Sequence, residues 1–147
     1  MSFVSCEGSA LIPPMLPPAN SITAVGSVIT PTLLTGVATA SNTYADAFTP
    51  FTLPKGVWLM TGTLSLSATA GQTISASVIH CRLDGVANQG QLASNYPAVI
   101  TQGASFSFIM TSDGTNVVDL ATTATTSAGT WSIVASISSF IRFVKIA

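Results

Sequence analysis

The chain is short of charge. Its 147 residues include four cationic and five acidic side chains, 6% in all, with a net charge of −1. An ordinary soluble domain carries about 25%. The cations Lys55, Arg82, Arg142 and Lys145 are scattered, so there is no basic patch of the kind a nucleic-acid backbone requires. Histidine and cysteine are as scarce, with His80, Cys6 and Cys81 the only ones. Two thiols make no disulfide framework, and one histidine with two distant cysteines does not add up to a tetrahedral zinc set within one chain. His80 and Cys81 are neighbours in a strand-like run, so they point to opposite faces and form no dyad. The acids Glu7, Asp46, Asp84, Asp113 and Asp119 show no paired spacing. Asp84 and Asp113 each precede a glycine in a turn sequence, where a carboxylate ordinarily bonds its own backbone. A glycine-rich phosphate loop of strand-loop-helix form is absent as well. No catalytic residue, metal or cofactor is expected.

Long apolar runs are also missing, although 48% of residues are hydrophobic and the mean hydropathy is +0.60. Residues 8–45 carry no charge but are broken by Pro13, Pro14, Pro17, Pro18 and Pro31. Residues 120–141 are threaded with Thr122, Thr123, Thr125, Thr126 and Gly129. Neither is the run of about 20 apolar residues that a membrane helix needs. The start of the sequence shows no basic n-region, and there are no aromatic girdles of an outer-membrane barrel. The expectation is a protein without a membrane role, made in a cytoplasm with its thiols reduced. Hydroxyl and amide side chains replace the missing charge, which leaves a lone monomer little to keep it dispersed. Much of its surface is therefore expected to be covered by copies of itself or by other proteins.

What the sequence does have is alternation. After the turn Pro54-Lys55-Gly56, residues Trp58, Met60, Leu64, Leu66 and Ala68 fall on one face, with Gly62 as the only gap. Thr61, Thr63, Ser65 and Ser67 fall on the other. A period of two with hydroxyls opposite apolar groups predicts a strand with one face in a core. Val57 and Leu59 interrupt the polar face and mark that end as a surface that partners cover. Further strands are predicted at 48–53, 73–83, 86–93 and 99–101, with a break at Gly103, then at 105–111, 116–122 and 130–147. Asp84-Gly85 is a hairpin signal. The last stretch reads as one long strand, apolar on both faces, fit for a sheet centre or a subunit interface. Trp58, Phe106, Phe108, Trp131 and Phe143 alternate with hydroxyls as core residues do, and Phe143 is also a candidate contact residue. Tyr96 is predicted in a polar loop at 94–97, where an exposed aromatic suits a contact. About eight strands at such spacing predict an all-β sandwich or barrel.

Residues 1–47 read as an extended arm ahead of a domain at 48–147. Within it, Ile12, Pro13, Pro14, Met15, Leu16, Pro17 and Pro18 favour polyproline II and cannot join a central sheet. Disorder-prone leaders are polar and charged, whereas this one is apolar. It is expected to lie along another subunit, and those seven residues are its candidate contacts.

Leu53-Pro54-Lys55-Gly56-Val57-Trp58-Leu59-Met60-Thr61-Gly62 resembles the proline, glycine and aromatic strand of tumour-necrosis-factor-like jelly rolls. Asp84-Gly85 is similar to a later turn of that family, and Ser138-Ser139-Phe140-Ile141 to the opening of its final buried strand. Small proteins of tailed-bacteriophage heads and fibres share this plan, with a short basic C-terminus that Arg142 and Lys145 match loosely. The resemblance covers 48–147, and the arm has no counterpart in the soluble members. It implies a jelly-roll β-sandwich, a homotrimer and no enzyme. The expected function is that of a virion structural protein. It would be a decoration or cement protein assembled in the host cytoplasm on a major capsid protein or other virion subunits. The alternative is the receptor-binding head of a phage fibre, reading its target through loops at 86–97 and 121–130.

Overall fold

The computed structural model describes residues 24–136 and 139–147, with the backbone alone at 87–89, 96 and 97. Eleven strands and no helix occur among them: β1 (Val28–Ile29), β2 (Thr39–Ala40), β3 (Ala45–Asp46), β4 (Phe51–Thr52), β5 (Gly56–Ala68), β6 (Ile74–Leu83), β7 (Val86–Val99), β8 (Thr101–Ser112), β9 (Val117–Thr126), β10 (Thr130–Ile133) and β11 (Phe140–Lys145).

The alternating stretch is β5, and it lies at the centre of the first sheet. Along one edge it pairs antiparallel with β8 from Gly56↔Ser112 to Ser67↔Thr101. Along the other it takes β11 over residues 58–63 and β10 over residues 66–68. β1 extends the sheet beyond β11, and β2 beyond β10. The second sheet runs β3-β9-β6-β7, with β4 also on β9. The two sheets bury a common core of Trp58, Met60, Leu64, Leu66, Ile74, Ile79, Leu120 and Phe143, all fully enclosed. Both buried indoles find a backbone acceptor, Trp58 Nε1 donating to Pro54 O at 2.8 Å and Trp131 Nε1 to Ala40 O at 3.0 Å. A buried indole N–H without a partner would cost desolvation energy that its ring burial would have to offset.

Gly62 fills the gap in the apolar stripe for a physical reason. A Cβ there would run into the backbone carbonyl of Phe140 and the ring of Phe106. The gap is the place where β11 and a core ring close onto β5.

Several sequence expectations change. β1, β2 and β3 put residues 28–46 into both sheets, and Ala47 is fully buried in the core. Residues 24–47 thus belong to the sandwich, and the boundary expected at 47/48 is not a structural one. The contacts expected at Ile12, Pro13, Pro14, Met15, Leu16, Pro17 and Pro18 lie outside the described residues. The single long last strand is two, β10 and β11. Where neither pairs with β5, Ser65 N–H donates to Ser139 Oγ at 3.1 Å, and Val134 N–H donates to Ser65 O at 2.8 Å. These bonds carry the ladder across the break. No loop occupies 94–97 and no break falls at Gly103, because β7 and β8 run through them with only Ile100 between. Between the pairs Ile74↔Val99 and Ala76↔Asn95, residues 96–98 oppose Ser75 alone, so a bulge sits there. β7 is a sheet edge, and a proline is tolerated on an edge or at a bulge because its missing N–H breaks no ladder.

Candidate assembly interface and charged cleft

Directly paired residues in antiparallel strands share a face, so the outer surface of the first sheet can be read in rows. One row crosses four strands as Val28, Val144, Leu59 and Ile109. Val28 is 53% exposed and Ile109 61%, while Leu59 and Val144 between them are half-buried. Below it runs Arg142, Thr61 and Ser107, and then Phe140, Thr63 and Ser105. Val57 pairs with Thr111 at the other end, beside the exposed Ile146 whose N–H donates to Val57 O. The paired rows of this face hold apolar and hydroxyl side chains with one charge, Arg142. Large exposed apolar patches are where proteins meet partners, which makes this face the candidate interface.

The outer face of the second sheet is different. Arg82 lies opposite Asp119 across β6 and β9. Its Nε donates to Asp119 Oδ1 at 2.5 Å, and one terminal nitrogen donates to Asp46 Oδ1 at 2.9 Å. Two residues along β6, His80 Nε2 is hydrogen-bonded to Tyr44 Oη at 3.0 Å, with the rings edge-to-face at 5.2 Å. Tyr44, His80, Arg82, Gly85 and Ala121 line a cleft of about 190 Å³. Burial, and next the Asp119 charge, push the Asp46 carboxyl above its ordinary range, with Arg82 pulling it back. On the inner face Cys81 is fully buried, and its thiol is pushed up to about 12 by that burial and by Asp119. His80 and Cys81 do point to opposite faces. Among the described residues, no group of three or more His, Cys, Asp or Glu is placed to hold a metal ion.

No family model matches the chain, and no curated protein matches it in sequence. Among solved structures it is similar to Eiger TNF from S. frugiperda, with a TM-score of 0.50 and 12% identity over 84% of this chain and 92% of that one. The fold is a tumour-necrosis-factor-like jelly roll. The likeness is one of fold alone.

Within this jelly roll the candidate contact residues divide. Val57 and Leu59 lie on the outer face of the first sheet, as the sequence suggests. Phe143 does not. It is fully buried, edge-to-face with Phe48 at 5.8 Å and Phe51 at 5.4 Å, so it serves the core and offers a partner nothing. Tyr96 lies in the edge strand β7 and not in a loop. Nor is 86–97 a loop, because β7 occupies 86–99, and of 121–130 only residues 127–129 form a turn, between β9, which ends at Thr126, and β10, which starts at Thr130.

The turn carboxylates also separate. Asp113 bonds locally, accepting from Thr115 N–H at 2.8 Å and Thr115 Oγ1 at 2.7 Å. Asp84 reaches across to the β8–β9 turn, accepting from Asn116 Nδ2 and from Val117 N–H, each at 2.8 Å. It can do so because Asp84 and Gly85 both take positive φ, 53° and 74°, as a two-residue hairpin turn requires. The Asn116 bond and then the Val117 bond hold the Asp84 carboxyl below its usual range. A carboxyl lowered on folding stabilises above its unfolded pKa, and that contribution is lost as pH falls through the folded value. Asp84→Asn should therefore lower stability at neutral pH and flatten the loss below about pH 4. Urea midpoints of both proteins between neutral and strongly acidic pH measure this. Parallel curves would show that the clamp carries no charge-dependent stability.

Proposed function

We propose that this protein is a structural subunit of a virion, a decoration or cement protein that works by assembly. It packs as a homotrimer through the outer face of its first sheet and holds neighbouring subunits through the segment before residue 24. The observation that carries this reading is the apolar row Val28, Val144, Leu59 and Ile109, set in a hydroxyl face that has one charge. Such a face has little to keep it dispersed in water and much to gain from burial, at about 25 cal/mol per Å² of apolar surface. The scarcity of charge across the whole chain supports the same conclusion, and so does the apolar, proline-rich composition of residues 10–19.

The fold limits how the segment can be tested. A deletion reaching residue 45 would remove β1 and β2 and half of β3, so the cut belongs at residue 23. The protein lacking residues 1–23 should remain a folded trimer and lose its attachment to particles. Quantitative gel analysis of purified particles incubated with either form reads the occupancy. Full occupancy by the truncated form would show that this segment is no clamp.

A further inference from the structure

On one side of the sandwich the first sheet ends at β2 and the second at β3, and a groove there is lined from both. The chain between β1 and β2 straps this side. Leu34 N–H donates to Ala47 O at 2.8 Å and Gly36 N–H to Ile133 O at 2.9 Å, while Leu34 and Val37 remain 40% and 60% exposed. With Ala45 of β3 and the almost fully buried Trp131 and Ile133 of β10, they make the apolar lining of a groove of about 180 Å³. Its polar groups are Thr39 and Asp46. A cavity of about 150 Å³ takes a benzene ring, so the groove has room for a side chain or two and too little for a drug-sized molecule.

We infer that this groove receives residues 11–18 of a second copy of the chain. The inference rests on the assembly reading above and names the place where the segment before residue 24 is held. Composition matches the groove. Residues 11–18 carry two Pro-Pro pairs among Leu11, Ile12, Met15 and Leu16, and polyproline II segments dock in aromatic-lined grooves because little conformational entropy is left to lose. Such a segment makes no internal hydrogen bonds. The Asp46 side chain, 38% exposed, offers an acceptor for the N–H of Met15 or Leu16, and the segment has no acid for that carboxylate to repel.

The length of chain selects a second copy. Gly26 N–H donates to Lys145 O, and Lys145 pairs with Trp58, whereas Ile133 and Trp131 pair with Leu66 and Ala68. The chain before β1 thus leaves the sheet about 25–35 Å from the groove, at roughly 3.3 Å per residue of β5, and it leaves heading away. Met15 precedes Ala24 by nine residues, a span of at most about 30 Å when fully extended. A chain that must first reverse has no length left to place Met15 in its own groove. One such contact is small and weak. Neighbours fixed on a particle present the segment at millimolar effective concentration, whereas trimers at micromolar concentration in solution stay separate.

The test titrates a synthetic peptide of residues 8–20 into the full chain, followed by nuclear magnetic resonance. It should bind with a Kd of about 0.1 to a few mM and shift the backbone amides of Leu34, Val37, Thr39 and Ala45. Val37→Asp, at an exposed position, should weaken binding about tenfold or more, and Val37→Ile should not. A peptide with alanine for all four prolines should bind about tenfold less tightly. Disulfide trapping identifies the copy. Met15→Cys and Val37→Cys are placed in different full chains, both with Cys6→Ser, and mixed under mild oxidation; Cys81 is fully buried and does not compete. Peptides carrying positions 15 and 37 should be linked between the two chains, and a chain with both substitutions should link to other copies and not to itself. Absence of peptide binding, shifts confined to other residues, equal binding of the alanine peptide or a link within one chain would overturn the proposal. The titration is read on the unmodified protein and contains no particle. Peptide binding together with full particle occupancy by the protein lacking residues 1–23 would therefore sink only the clamp, and lost occupancy without peptide binding would sink only the groove.

Discussion

Leu59→Asp is expected to yield a folded monomer. Leu59 sits in the middle of the apolar row, flanked by Val144 on β11 and Ile109 on β8. In a single chain its position is half open to solvent, so an aspartate there can stay hydrated. The cost to the fold is the lost packing with its cross-strand neighbours, on the order of 1 kcal/mol. In the proposed assembly the same carboxylate would be enclosed with no cation opposite, which is costly for an ion. Association should weaken by more than about 100-fold, enough to empty the oligomer at micromolar concentration. Ser75→Asp, an exposed position on the other sheet, should leave the mass unchanged. Size-exclusion chromatography with light scattering distinguishes the two. An unchanged mass for Leu59→Asp would place any interface elsewhere on the molecule.

Gly62→Val should be the most damaging single change in the sandwich. The new side chain would meet the Phe140 carbonyl and the Phe106 ring. The carbonyl is backbone and cannot turn away as a flexible side chain would. Overpacking in well-filled cores costs about 1–3 kcal/mol and occasionally more, and this contact lies at the upper end because it forces β11 off β5. A domain of this size loses roughly 2–4 °C of Tm per kcal/mol. The expected drop is therefore about 10 °C or more, or failure to fold. Gly103 provides the control. It lies on β8, opposite Ser65, and a Cβ there meets nothing within 4 Å. Gly103→Ala should be neutral or slightly stabilising, since it restricts only the unfolded chain. Differential scanning calorimetry of both variants tests the contrast, and equal shifts would remove the steric account.

The sequence carries the first sheet better than the second. Alternation in β5 assigns every side chain to a face, because a period of two leaves no other choice, and it even marks Gly62 as anomalous. It does not show why, since the reason is a strand nearly 80 residues later. The resemblance to jelly rolls rests on the same stretch and on Asp84-Gly85, and the fold agrees with it. The split of the last strand into β10 and β11 is hidden because the unpaired position of β5 is bridged by Ser139, a residue type common throughout the chain. Phe143 looks equally suited to a core or an interface until Phe48 and Phe51 are seen closing over it. Pro97 reads as a loop residue because a central strand would exclude it, whereas β7 is an edge.

The charged cluster on the outer face of the second sheet is the least legible feature. Tyr44, Asp46, His80, Arg82 and Asp119 come from three strands and the approach to one of them, and no spacing in the chain brings them together. A usable signal was present nonetheless. Antiparallel pairing of the two long hydroxyl-rich segments around 80 and 120 places the rare Arg82 opposite the rare Asp119, and in so uncharged a chain that coincidence has weight. Reading it requires the β6–β9 register, which tertiary packing sets.

The central claim is that this jelly roll functions by assembling through the outer face of its first sheet. Sedimentation equilibrium on the purified chain at micromolar concentration tests it most directly. The account predicts a single species at three times the 15.0 kDa mass of one chain. A stable, soluble monomer across that concentration range would contradict it.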